Sequence, residues 1–283
     1  MKLNLKLYKT SCLLLTLLLT LLRCLSMTAF YNPQLGYFEN SLIPFATNLL
    51  YVLSVIWLLS AIKLLPKAAL KADFTPELPH FKWASGASAV LLIISLVLVF
   101  TRQSSSKFIP LILLTLALST LFFISVFVKD VKVNIIRAFS SIAFIALFMC
   151  ILAAVYFDLT IAMNSPHKVM GSFALMASMA FALCETRIFL GKPLSRLHFA
   201  MSMVTFTIGA SMALSSACYI IVAAPSEFIR NPITLGNTGY MLVIAATALY
   251  ALSRCFSFAE TDKQNKTADS VAEPTAEEPT AEE

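Results

Sequence analysis

Eight stretches of this chain are long and apolar enough to cross a bilayer, and the lysines and arginines between them alternate from one side to the other. Runs of about 20 apolar residues, each able to span about 30 Å of hydrocarbon as a helix, fall near 11–30, 41–65, 85–101, 108–128, 135–157, 169–190, 198–223 and 236–257. The runs are continuous and Leu-rich instead of alternating apolar with polar, so they predict helices and not barrel strands. The expected fold class is therefore an all-α polytopic transmembrane bundle of eight spans. The balance of residue types agrees, since 59% of the chain is hydrophobic and only 13% charged, outside the usual range of soluble domains.

Charge sets the expected orientation. With the amino terminus inside, the inner segments hold Lys2, Lys6, Lys9, Lys63, Lys67, Lys71, Lys82, Lys129, Lys132, Arg137, Arg187, Lys192, Arg196, Arg254, Lys263 and Lys266. The outer loops hold only Arg102, Lys107, Lys168 and Arg230, with Arg23 inside span one. That asymmetry predicts both termini in the cytosol, and a single miscounted span would destroy it. Lys2 to Lys9 followed by an apolar run also has the form of a signal peptide, but Arg23 directly follows the run and no clean small-x-small site comes after it, Ser26-Met27-Thr28 being the nearest candidate. Span one is expected to be retained.

Residues 1–259 form the expected transmembrane domain and carry 19 basic and 7 acidic groups, while residues 260–283 carry 2 and 8. The tail repeats Glu-Pro-Thr-Ala-Glu-Glu and has little apolar mass to bury, so a disordered acidic cytosolic extension is expected. The loop from Pro66 to Ala84 is the one long connection, and its Trp83 and lysines suit a headgroup layer. No segment is large enough for a soluble catalytic domain, and no Gly-rich phosphate loop or H-E-x-x-H pair is present. The six cysteines lie in or at the ends of spans without a C-x-x-C pair, which reads as packing. No cofactor or metal is expected, and nucleic acid is not an expected partner.

Small residues distinguish the carboxy-terminal half. At about 100° per residue, Gly171, Ala174, Ser178, Ala182 and Glu185 share one face of span six, and Ser202, Thr205, Gly209, Ala213 and Ser216 share one face of span seven. Such stripes let membrane helices approach closely. Ala174, Ser178, Thr205, Gly209 and Ala213 are thus expected to pack spans six and seven together, inside a core of spans five to eight. Spans one, three and four, rich in large apolar residues, are expected at the periphery.

Ionisable groups inside apolar spans are the natural candidates for function. Arg23 lies about 10 Å from the outer end of its span and is expected to snorkel outward. Glu185, continuing the small stripe of span six, should face the bundle while Arg187, about 200° away, points to the headgroups. A carboxylate there needs a cation, and Arg137 or Arg254 stands at similar depth. An outer candidate site comprises Asp158, Asn164 and His167 in the hairpin between spans five and six, where Ser165 and Pro166 also have ordinary helix-start chemistry. His80 and His198 have no neighbour at metal-ligand spacing and receive no role.

Residues 156–192, with Asp158 to Lys168 followed by Glu185-Thr186-Arg187, resemble uncharacterised multi-pass proteins of bacterial membranes. The resemblance implies a bacterial cytoplasmic membrane and no particular activity. The expected function is non-enzymatic, binding or moving a small solute through the carboxy-terminal helices. The alternative is a regulatory or scaffold protein that holds a membrane protein partner through its helices and acidic tail. An intramembrane enzyme ranks last, for lack of a paired nucleophile and base.

Overall fold

The computed structural model describes residues 5–32, 37–39, 42–65, 71–72, 79–101, 108–127, 133–157, 165–190, 194–222 and 232–259. Asp158, Asn164 and the acidic tail lie outside the described residues. Eight long helices dominate: α1 (Leu5–Ala29), α2 (Leu42–Leu64), α3 (Pro79–Thr101), α4 (Ile109–Ile124), α5 (Val133–Phe157), α6 (Pro166–Phe189), α7 (Ser195–Val222) and α8 (Pro232–Ser257). Seven of them are long and apolar enough to cross a membrane. The fourth falls short of the expected 108–128, because its α-helical part has 16 residues, a rise of about 24 Å. A 3₁₀ turn at Ser125–Phe127 continues it and adds about 6 Å.

The chain is not wholly helical. Two short antiparallel pairs are present, β1 (Tyr31–Asn32) with β2 (Tyr37–Phe38), and β3 (Lys71–Ala72) with β4 (Phe258–Ala259). The second pair joins the loop after α2 to the residue run that leaves α8. The α3 helix also begins at Pro79 and so takes in Trp83, which the sequence places in a loop. Proline suits a helix's first turn, since its missing N–H would have no intrahelical partner there. Trp83 is 81% exposed, the disposition of an aromatic ring at a membrane interface.

Helices α3 to α8 close into a ring. Each packs on its neighbour in sequence, and α8 returns to pack along α3. The middle of the ring is aromatic: Phe122 and Phe123 from α4, Phe144 and Phe148 from α5, Phe181 from α6 and Tyr250 from α8 are all fully buried. Tyr250 stands edge-on to Phe123, with ring centroids 5.1 Å apart, and to Phe122 at 5.6 Å. Edge-to-face contacts add to the area these rings bury. Outside the ring, α1 and α2 lie together against α7. Large apolar side chains such as Leu14, Leu17, Phe45, Ile56, Val97, Phe139 and Ile221 remain exposed around the bundle. A belt of this kind suits hydrocarbon and not water.

Many Ser and Thr side chains sit in these apolar helices because they bond back to the carbonyl one turn earlier. Thr16 donates to Cys12, Ser178 to Ala174 and Thr247 to Val243, at 2.7 to 2.8 Å. That satisfies the hydroxyl without water.

Helix α4, with Phe122 and Phe123 in the middle of the ring, departs from the expected peripheral position, and so does helix α3. Its Ser85, Ser88, Leu92, Ser95 and Val99 form one buried face, and two of those serines donate to α8 backbone carbonyls, Ser88 to Ala246 and Ser95 to Gly239, each at 2.8 Å. Gly239 permits the approach, since a Cβ there would lie 2.9 Å from Val99 Cγ2. The small stripe of α7 is likewise divided. Thr205 faces α6, donating to the Ala177 carbonyl at 3.0 Å, whereas Gly209 faces α8, where a Cβ would meet that of Ala248 at 3.0 Å. Gly209 therefore does not pack α7 on α6. Ala174 and Ser178 are buried and Ala213 is half-buried.

Candidate functional site

Glu185 lies near the end of α6 and is 0% exposed. Three side chains hold its carboxylate. Arg254, from the last turn of α8, donates from Nη2 to Oε2 at 2.8 Å and places Nε 2.8 Å from Oε1. His198, in the first turn of α7, brings Nε2 within 2.8 Å of Oε1, and Tyr250 donates its hydroxyl to Oε2 at 3.2 Å. A carboxylate facing a guanidinium can only accept, so His198 carries a proton on Nε2. The surroundings are aromatic: the Arg254 guanidinium lies 4.3 Å from the Phe81 ring centroid, and Phe181 stacks on His198 at 5.6 Å and 20°. A planar, weakly hydrated guanidinium tolerates such a dry site better than an ammonium would.

Arg187, two residues on, is exposed. Arg137 is placed on the Ser125 carbonyl at 2.7 Å, where it closes the end of α4 and its 3₁₀ turn. Two other basic residues at this end do the same: Lys9 donates to the Phe258 carbonyl at 2.7 Å after α8, and Arg196 to the Ile62 carbonyl at 3.3 Å near the end of α2. Cations favour the carbonyl ends of helices. The starts of α1, α3, α5 and α7 and the ends of α2, α4, α6 and α8 thus meet at one end of the bundle.

The opposite end has a different character. Phe108 before α4 stacks on Phe157 at the end of α5, with centroids 5.9 Å apart, so α4 reaches both ends despite its length. Ser165 caps α6 by accepting from the Lys168 N–H at 3.2 Å, with Pro166 in the first turn. Lys168 is buried and donates from Nζ to the Tyr156 carbonyl at 3.3 Å. His167 stands beside them with Nδ1 buried and without a hydrogen-bond partner among the described residues. Of the expected outer site, only His167 is described.

Arg23 belongs to this end and does not snorkel. It is 1% exposed and turns into the bundle, where Nη2 meets the Met212 thioether at 3.4 Å. Its Nε is buried without a partner among the described residues. Tyr51 and His167 lie within its electrostatic reach, and Tyr51 donates onward to Ser211 at 2.8 Å. Met212 belongs to a separate small apolar cluster with Leu19, Tyr51 and Met170. The carboxylates among the described residues are Glu39, exposed in the β1–β2 hairpin, and Glu185 at the far end.

Two participants escape sequence reading. His198 is discounted for lack of metal spacing, yet it lies 13 residues after Glu185 across a short connection, which returns it to the same depth. Arg23 is discounted as a snorkelling residue, yet Tyr8, Cys12, Thr16, Leu19, Arg23 and Ser26 recur at spacings of three and four along the buried face of α1. Among the described residues no group of three His, Cys, Asp or Glu side chains gathers as a metal site. Comparisons with protein-family models, with curated proteins and with solved structures give no match.

Proposed function

We propose that this chain is a non-catalytic multi-pass membrane protein that binds a small solute in the outer half of its bundle, between α1, α2, α6 and α7, with its inner end closed. The observation that carries the reading is the contrast between the two buried charges. Glu185 has both oxygens occupied by three partners, whereas Arg23 is equally buried and, among the described residues, meets only a thioether. A saturated ion pair fixes helices together, while an unbalanced charge in a dry interior calls for a ligand. The reading includes eight spans with both termini on the cytosolic side, in a cytoplasmic membrane of bacterial type. The antiparallel succession of helix ends and the placement of Lys9, Arg137, Arg196 and Arg254 at a single end support it.

Two experiments test this reading. Single cysteines at Gln103 and Ser226 of a cysteine-free variant should react with an impermeant reagent in intact cells, and one at Ser270 should not; the reverse pattern contradicts the orientation. Native mass spectrometry of protein released from mild detergent should reveal a bound small molecule, or a panel of small solutes should raise the melting temperature. Failure of both contradicts solute binding.

A second reading, a scaffold that holds a membrane partner, has one observation in its favour. Ser11, Leu14, Leu15, Leu50, Leu53, Ser54 and Trp57 line an open groove of about 460 Å³ between α1 and α2. Ser54 Oγ is buried there without a hydrogen-bond partner among the described residues. A photo-crosslinker at Leu53 that captures one protein reproducibly in cells would favour this reading.

A further inference from the structure

The reading of the outer half as a solute site leaves the class of solute open, and Arg23 narrows it. We infer that the site takes a monocarboxylate with an apolar body, its carboxylate held by the Arg23 guanidinium and its body against Leu19, Tyr51, Met170 and Met212.

Arg23 is always charged and offers donors in a planar fork that matches a carboxylate. Its position, six residues before the end of α1, sets it about 9 Å inside that helix's outer end, and 1% exposure removes it from water. A thioether is a weak acceptor and carries no charge, so the contact with Met212 leaves the cation without an anion among the described residues. The described carboxylates do not supply one, since Glu39 is exposed and Glu185 is engaged by Arg254.

Among the described residues the surrounding charges are of one sign. Arg23, the buried Lys168 and the amino terminus of α6 together make the outer end of the interior positive. Lys168 is already engaged, with its ammonium at the Tyr156 carbonyl, so among the described residues one guanidinium is left with no partner beyond the thioether. That count suits a monoanion better than a phosphate dianion. His167 offers Nδ1, buried and open, as a second donor in the tautomer that carries its proton there. The apolar cluster that includes Met212 narrows the remainder of the ligand. Leu19, Tyr51, Met170 and Met212 are buried apolar side chains, and unbranched methionines adapt to an apolar body of variable shape. An inorganic anion would leave those contacts unused.

Such a carboxylate could come from the aqueous side as a short-chain acid or from the bilayer as a fatty acid, and the probes separate the two. The full chain, purified in mild detergent and washed free of lipid, is titrated calorimetrically with hexanoate, with its neutral isostere hexanamide and with palmitate. Hexanoate is expected to bind saturably, with hexanamide at least tenfold weaker. Arg23→Met should weaken hexanoate at least tenfold, and Arg23→Lys should keep part of the affinity. Competition by palmitate identifies the bilayer as the source; hexanoate binding without palmitate binding identifies a water-soluble acid. The melting temperature of ligand-free Arg23→Met guards against misfolding, because removing an unbalanced buried charge should raise it.

Equal affinity for hexanoate and hexanamide overturns the carboxylate while leaving a solute site standing. Undiminished hexanoate binding to Arg23→Met overturns the role of Arg23. No binding by any probe overturns the solute site as well. Asp158, which directly follows α5 in sequence, is the internal rival: if Arg23→Met and Asp158→Asn each lower the melting temperature and their combination lowers it no further, an internal ion pair replaces the ligand and the inference fails.

Discussion

The two ends of this bundle bury charge in opposite ways. At one end, inner on the proposed orientation, Glu185 receives Arg254, His198 and Tyr250 from α8 and α7, and aromatic rings from α3, α4 and α6 close around the group. At the opposite end, Arg23 reaches similar burial against a thioether. Burying an ion costs several kcal/mol after relaxation, and only a partner of opposite sign with good geometry offsets it. The inner cluster meets that condition within the chain. The outer one does not meet it among the described residues, and on the proposed reading the difference divides a part that holds the fold together from a part that answers to a ligand.

The largest expected effect falls on the inner cluster. Glu185→Gln should cost about 3 to 5 kcal/mol, because it leaves Arg254 buried without its anion. Combining it with Arg254→Met should recover a good part of that loss in a thermal-stability double-mutant cycle. Additive losses would remove the lock from the inner end and erase the contrast between the two clusters.

Next in size are the close helix approaches that hold both ends in register. Gly209→Leu should destabilise by about 1 to 3 kcal/mol by forcing α7 from α8. Replacement of the half-exposed Ala210 by Leu should cost less. Phe81→Leu removes the ring beneath the Arg254 guanidinium and should cost about 1 kcal/mol or somewhat more, measured as a lower melting temperature. Its effect should vanish once Arg254 is Met. Ser88→Ala removes one hydroxyl-to-carbonyl bond between α3 and α8 and should cost about 0.6 kcal/mol, the least of the set.

Much of the inner cluster is legible in the sequence. A carboxylate on a small-residue stripe must point inward, and an arginine at matching depth on an inner-facing helix end is a natural counterion. Periodicity does not show which of Arg137 and Arg254 takes the role, because the ring closure of α8 on α3 is a long-range contact. His198 is hidden for a different reason, since a histidine beside a short connection is ordinary until the preceding helix is known to end in a carboxylate. Helix α3 is misplaced at the periphery because its aliphatic residues dominate its composition. Its serines at 85, 88 and 95 carry the contacts that matter. Arg23 shows the same fault: distance to the membrane surface suggests snorkelling, but the three-and-four spacing of its neighbours on α1 points inward. The two-residue strand pairs leave no mark at all in the sequence, being set by where distant backbone segments arrive.

The most direct test sets the two charges against each other in one assay. Melting temperatures of lipid-stripped, ligand-free Glu185→Gln and Arg23→Met are compared with that of the unaltered protein in the same detergent. Opposite shifts are expected, downward for Glu185→Gln and upward for Arg23→Met, since one change unpairs a buried ion and the other removes an ion already unpaired. Downward shifts of similar size for both would show that Arg23 has its anion within the chain, and the distinction between a locked inner end and an open outer site would be contradicted.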